Sequence, residues 1–185
     1  VQAAADSRSL FQDCQYLERI SFDGNFDTSR AVSMDQMFEH CKSLKSLDVS
    51  GFDTSRVTGM TRMFYGCESL TELDVSGFDT SKVTGMASMF QSCKNLTGLN
   101  VSGFDTSEVT SMSFMFSGCK KLSELDVSGF DTSKVTRMSY MFDGCSSLEN
   151  LDIRGFDMRR VTNQDKMLRG TKGGWQRALS RLFRP

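Results

Sequence analysis

One unit repeats along this chain every 26 residues, and that period limits the fold more than any other feature. The cysteines are Cys14, Cys41, Cys67, Cys93, Cys119 and Cys145, with gaps of 27, 26, 26, 26 and 26. Phe-Asp pairs begin at Phe26, Phe52, Phe78, Phe104, Phe130 and Phe156, and Met-Phe pairs at Met37, Met63, Met89, Met115 and Met141. One unit reads MxxMFxxCxxLxxLDVSGFDTSxVTx. Of the 15 Phe, 12 fall into two columns of this repeat, so the columns carry the core. The single extra residue lies between Leu17 and Phe26, in the most divergent unit.

A unit this short cannot bury its own apolar face, but stacked units can. Met60, Met63, Phe64 and Cys67 stand at i, i+3, i+4 and i+7, the spacing of one helix face. Thr58 precedes them as a candidate N-cap. Two turns of helix need tertiary support to persist. Leu73 and Val75 then alternate with Glu72, Asp74 and Ser76, a period of two that predicts a short strand with one buried face. Gly77 breaks it, Phe78 turns inward, and Asp79-Thr80-Ser81 has turn chemistry. The expected fold is an α/β repeat solenoid, a right-handed stack of short parallel strands and short helices. Helix axes need ~8–10 Å between them, against ~4.8 Å between strands. That mismatch bends the stack unless the helices are very short or 3₁₀-like. The chain divides into a degenerate N-terminal rung or cap (1–24), the repeat solenoid (25–170) and a basic amphipathic C-terminal cap or tail (171–185).

Charge and composition narrow the function. The net charge is −1, yet 169–185 holds five basic residues and no acid, so the first 168 residues sum to −6. An acidic body argues against nucleic acid, which needs clustered Lys and Arg. No run of eighteen apolar residues is present. No signal peptide is visible at the start, which is Val rather than Met and suggests a processed chain or a fragment. The one histidine, His40, occupies a single rung, and no nucleophile–base pair or phosphate loop stands out, so an enzyme is not expected. No cofactor or metal site is expected either: the cysteines lack the close spacing of zinc ligands and read as a buried column of free thiols.

The residues of the full unit, MFxxCxxLxxLDVSGFDTSxVTxM, carry a family resemblance from about Leu10 to Met167. Leu70-x-x-Leu73-x-Val75 follows the LxxLxL strand of leucine-rich repeats, without the usual Asn or Cys after it. The unit resembles the BspA-like leucine-rich repeat surface proteins of bacteria, in the branch with 26-residue repeats often labelled as of unknown function. The resemblance implies a leucine-rich-repeat-like fold, a secreted or cell-surface location, adhesion or protein–protein contact, and no catalytic residues.

Two surfaces are candidates for a protein partner. Asp48, Asp74, Asn100, Asp126 and Asp152 form one strand-face column, with Glu72 and Glu124 beside it. Such side chains stand ~5 Å apart on an in-register sheet. They make a solvated acidic face, a site for a basic or hydroxyl-rich partner or, least favoured because a flat ladder offers few convergent oxygens, a calcium site. The second candidate lies on the helix side, where rungs differ most: Phe114 and Tyr140 are adjacent in one column, with Tyr65 nearby in phase. Exposed aromatics can anchor a partner. The second Asp column, Asp27 to Asp157, reads as turn-forming. Trp175, Leu179, Leu182 and Phe183 share one helical face of the tail, which either caps the last rung or touches a membrane or partner. A monomer is expected. The functional alternative to a contact module is a spacer that displays another domain, and end-to-end stacking would need an uncapped terminus.

Overall fold

The alternation of Leu and Val with polar residues gives strands, but very short ones. The computed structural model describes residues 2–22 and 25–172. The strands are β1 (Arg19–Ile20), β2 (Ser46–Leu47), β3 (Glu72–Leu73) and β4 (Gly98–Leu99). They pair in parallel, β1 with β2 and β3 with β4. Leu73 lies beside Leu99, one repeat on, and Ile20 beside Leu47, 27 residues on. The extra residue of the first unit therefore enters after Ile20.

The short helices expected over Met60 to Cys67 and its copies are not formed; no α-helix occurs among the described residues. Consecutive rungs come too close for one. The Phe38, Phe64, Phe90, Phe116 and Phe142 rings stack nearly parallel with centroids 5.6–5.7 Å apart, well under the ~8–10 Å that helix axes require. The backbone turns tightly instead. Met63, Tyr65 and Cys67 donate to the carbonyls three residues back, at 3.2, 3.0 and 3.2 Å. Alternate amides point along the stack: Met60, Arg62, Phe64 and Gly66 donate to Gly85, Ala87, Met89 and Gln91 of the next rung at 2.8–3.1 Å. Thr58 is no N-cap; its amide and hydroxyl both donate to Val32 O of the preceding rung.

This geometry needs left-handed backbone twice per rung. Gln36, Arg62, Ser88, Phe114, Tyr140 and Lys166 form one column with φ of 54–61°. His40, Gly66, Ser92, Gly118, Gly144 and Gly170 form the other, just before the cysteine position. L-residues with a Cβ are strained there by roughly 1–2 kcal/mol, which is why glycine takes four of those six places. The rungs join in an unbroken column of parallel bridges through Asp6, Ser33, Gly59, Gly85, Ser111, Arg137 and Asn163.

The core is a set of identical side-chain columns. Met60, Met63, Phe64, Cys67 and Leu70 are fully buried, as are their copies through the middle rungs. All six cysteines are free; Cys14 is exposed and the other five are buried. Each buried thiol donates to the Phe carbonyl of the rung before, as Cys93 does to Phe64 O at 3.2 Å. Burial pushes the Cys41 and Cys145 thiols up to about 12, so these sulfurs stay protonated and behave as small apolar groups. The tail expected as an amphipathic cap, Trp175 to Phe183, lies outside the described residues.

Candidate partner-binding surfaces

The strand-face column is built from local turns. The Oδ1 atoms of Asp48, Asp74, Asn100 and Asp126 accept the amides of Ser50, Ser76, Ser102 and Ser128 at 2.9–3.1 Å. Asp152 accepts the Arg154 amide at 3.0 Å and is clamped by the Arg154 guanidinium. The side-chain and backbone donors of the serine two residues on hold Asp48, Asp74 and Asp126 below the usual carboxylate range. Arg154 takes Asp152 down to about 2. All five side chains are exposed, as are Glu72 and Glu124.

The second Asp column does the same work. Asp53, Asp79, Asp105 and Asp131 accept amides two residues on at 2.8–3.0 Å. Both columns follow Asp-x-Ser in most rungs, the side-chain oxygen closing the turn; Asn100 replaces the Asp in one rung, and Arg154 and Arg159 replace the Ser in the last. Sequence reasoning assigned that role to one column and missed it in the other, although Asp74-Val75-Ser76 and Asp79-Thr80-Ser81 carry the same signal.

Sequence reasoning also passed over a buried threonine column. Thr28, Thr54, Thr80, Thr106 and Thr132 are nearly inaccessible. Each hydroxyl donates to the Asp carbonyl of the next rung at 2.9–3.2 Å. Met158 takes this place in the final rung and ends the chain of hydroxyls. Glu39 was likewise unforeseen. It is 3% exposed, and its carboxylate accepts from Gln12 and Gln36 at 2.8 and 2.6 Å.

The side of the tight turns brings its aromatics together in part. Phe114 and Tyr140 stack with centroids 4.7 Å apart and planes 6° from parallel. Lys166 and Arg169 sit over the Tyr140 ring at 5.3 and 5.8 Å, and Arg169 also clamps Asp143 at 2.6 and 2.7 Å. Tyr65 is not part of this stack. It packs on His40 at 4.8 Å, and His40 Nδ1 lies 3.0 Å from Asp13. Phe114, Tyr140 and Tyr65 are all half-exposed.

Among the described residues no three His, Cys, Asp or Glu side chains converge as metal ligands, and no helix is long and apolar enough to cross a membrane.

Rungs with short parallel strands and inward Leu and Val columns define a leucine-rich-repeat-like fold. The structure is similar to the leucine-rich repeat protein TpLRR of T. pallidum, at 17% identity and a TM-score of 0.57, covering 100% of this chain and 77% of that one. It is also similar to a leucine-rich repeat protein from Eubacterium ventriosum, at 19% identity and a TM-score of 0.52, covering 80% of this chain and 42% of that one. No curated protein matches the sequence. Residues 1–95 and 69–180 match the family described as "Mycoplasma protein of unknown function, DUF285", and the chain belongs to that family. These matches bear out the BspA-like resemblance in its coarse form, a bacterial leucine-rich repeat protein of unknown function.

Proposed function

We propose that the chain is a non-catalytic module for protein–protein contact at a cell surface, with its contact face on the tight-turn side around Phe114 and Tyr140. The observation that carries this reading is the position of those rings. Both sit on left-handed backbone, φ 61° and 59°, where a bulky side chain is unfavourable and Ser, Gln, Arg or Lys stands in other rungs. Backbone strain accepted for two adjacent aromatics favours a use for them beyond folding. Paired rings flanked by cations suit an anchor for a protein partner with apolar and acidic groups. Surface location and adhesion rest on the family resemblance.

The strand face supports contact less well, because its carboxylates already close turns. Near-identical rungs on that side favour a second reading, a spacer that holds another domain away from the cell. The test is a binding screen of the full chain against extracellular-matrix and serum proteins at near-physiological salt. A Phe114→Ser/Tyr140→Ser variant and a Glu72→Lys/Glu124→Lys variant run beside it. Binding lost only in the aromatic variant supports the proposal. Binding lost only in the charge variant moves the site to the strand face. A folded chain that binds nothing supports the spacer.

A further inference from the structure

A groove of about 560 Å³ runs along the side of the stack across successive rungs. Val32, Thr58 and Thr84 line one wall, Asp35 and Thr61 the other, with Gly59 and Gly85 between them. The floor is lowest at these glycines, because the same column carries Ser111, Arg137 and Asn163 further along. Side chains of the opposite wall reach over that floor. A Cβ on Gly59 would lie 2.7 Å from the Asp35 carboxylate, and one on Gly85 would lie 2.9 Å from the Thr61 hydroxyl.

The polar groups of the groove are mainly acceptors. The Thr58 and Thr84 hydroxyls donate back to Val32 O and Thr58 O at 3.2 and 3.3 Å, which leaves their lone pairs for a ligand. The Ser33 hydroxyl donates to Asp35 at 2.9 Å. Asp35 also accepts the Thr61 amide at 2.6 Å, and a carboxylate keeps further lone pairs. The guanidinium at the groove's end, Arg8, is spent on Asp6 at 2.6 and 2.7 Å. A matching ligand is therefore rich in donors and elongated along the stack. Rungs repeat every ~4.8 Å, whereas an extended peptide advances ~3.3 Å per residue and falls out of step. A linear pyranose chain advances by about one rung per sugar. It offers hydroxyls at each rung and lays its C–H faces on the glycine floor and on Val32, an exposed apolar side chain at the head of the threonine column.

We propose that this groove binds a short linear oligosaccharide lying along the stack, one sugar per rung from Val32 to Thr84. Sugar hydroxyls donate to Asp35, Thr58 and Thr84, and the Thr61 hydroxyl, which has no partner among the described residues, donates to or accepts from the chain. An amine-bearing sugar binds more tightly than a neutral one, because its ammonium meets the Asp35 carboxylate. A sulfated sugar brings acceptors and negative charge to acceptors and does not bind. The groove shares no residue with the Phe114 and Tyr140 face, so either proposal can fail without the other.

The test is calorimetric titration of the full chain with cellotriose, a chitosan trimer, a heparin tetrasaccharide and trilysine. Cellotriose and the chitosan trimer are expected to bind, the chitosan trimer more tightly, and heparin and trilysine are expected not to. Asp35→Asn should weaken the chitosan trimer by roughly 10- to 100-fold, the loss of a hydrogen bond to a charged group, and bring it to the level of cellotriose. Gly85→Arg fills the floor with the side chain that Arg137 carries in the same column and should abolish cellotriose binding. Thr84→Lys, at an exposed position, should do the same and decides the point if Gly85→Arg does not fold by circular dichroism. Thr136→Lys makes the same change in the same column beyond the groove and should leave binding intact. Failure of both neutral and amine trimers to bind overturns the proposal. So does cellotriose binding that survives in folded Thr84→Lys, or binding of trilysine or heparin in place of the neutral sugar.

Discussion

The two sides of each rung reverse what their sequences suggest. The Leu-Val side has the alternation of a strand, yet among the described residues it yields two pairs of two-residue strands. The Met-Phe-Cys side has the spacing of a helix, yet it carries the bridge column that runs unbroken from Asp6 to Asn163. The difference teaches where a tightly spaced stack keeps its hydrogen bonds. A helix spends its amides within its own turn, whereas tight turns with left-handed residues free every second amide for the neighbouring rung.

Four measurements can break or sharpen this contrast. The largest effect is expected on the tight-turn side. Phe90 is fully buried and lies 5.7 Å from both neighbouring rings. Phe90→Ala should cost about 3–5 kcal/mol, while Glu124→Lys, exposed on the strand side, should stay within about 0.5 kcal/mol. Urea unfolding of both variants gives the comparison, and similar losses would erase it.

A smaller effect is expected where the rungs are tied by hydroxyls. Thr106→Val removes the donor to Asp131 O at 2.9 Å and strands a partly buried carbonyl, at a cost of about 1–3 kcal/mol. Thr110→Val removes a longer, exposed bond of 3.5 Å to Thr84 O and should change stability by less than about 0.5 kcal/mol. If the two variants unfold at the same urea concentration, the buried column does not join the rungs as described.

Acid should act through the aspartate turns. Asp152 and Asp157 are lowered from the ordinary 3.8 to about 2, chiefly by hydrogen bonds from Arg154 and Arg159. A carboxylate whose folded pKa is depressed lends stability above its unfolded pKa and loses it as pH falls through the folded one. The stability these pairs lend is therefore present above about pH 4 and disappears toward pH 2. The urea midpoint measured from pH 7 downward should show no change attributable to them until that window. An Arg154→Gln/Arg159→Gln variant, which leaves both turns without their guanidinium, should lose less than the parent chain between pH 4 and pH 2. An equal loss in both chains would remove these pairs from the account.

Much of this was legible in the sequence. The 26-residue period gave the stack, the register and the buried columns, and Asp-x-Ser gave one of its two turn columns. The helix was misread because i, i+3, i+4, i+7 spacing fits any backbone that returns every third or fourth residue to one side. A contrary signal was present: Gly66, Gly118 and Gly144 stand within the supposed helix span, directly before Cys67, Cys119 and Cys145. Glycine is poor in a helix interior and suited to left-handed turns. The candidate contact face was legible only in part. Phe114 and Tyr140 share a column, so their stacking followed from the period. Tyr65 lies in a different column, and it packs on His40, which stands where most rungs have Gly or Ser and pairs with Asp13 of the divergent first rung.

The most direct test of the tight-turn ladder is the stability of Ser92→Gly, with Gly144→Ala beside it, in urea. Ser92 has φ 60° and Gly144 has φ 72°, and a Cβ on Gly144 would meet only Gly118 atoms at 3.8 Å. Left-handed positions prefer glycine, so Ser92→Gly should gain about 0.5–1 kcal/mol and Gly144→Ala should lose about 1 kcal/mol. A helix would reverse both signs, with Ser92→Gly losing and Gly144→Ala gaining several tenths to about 1 kcal/mol, and that result would contradict the ladder.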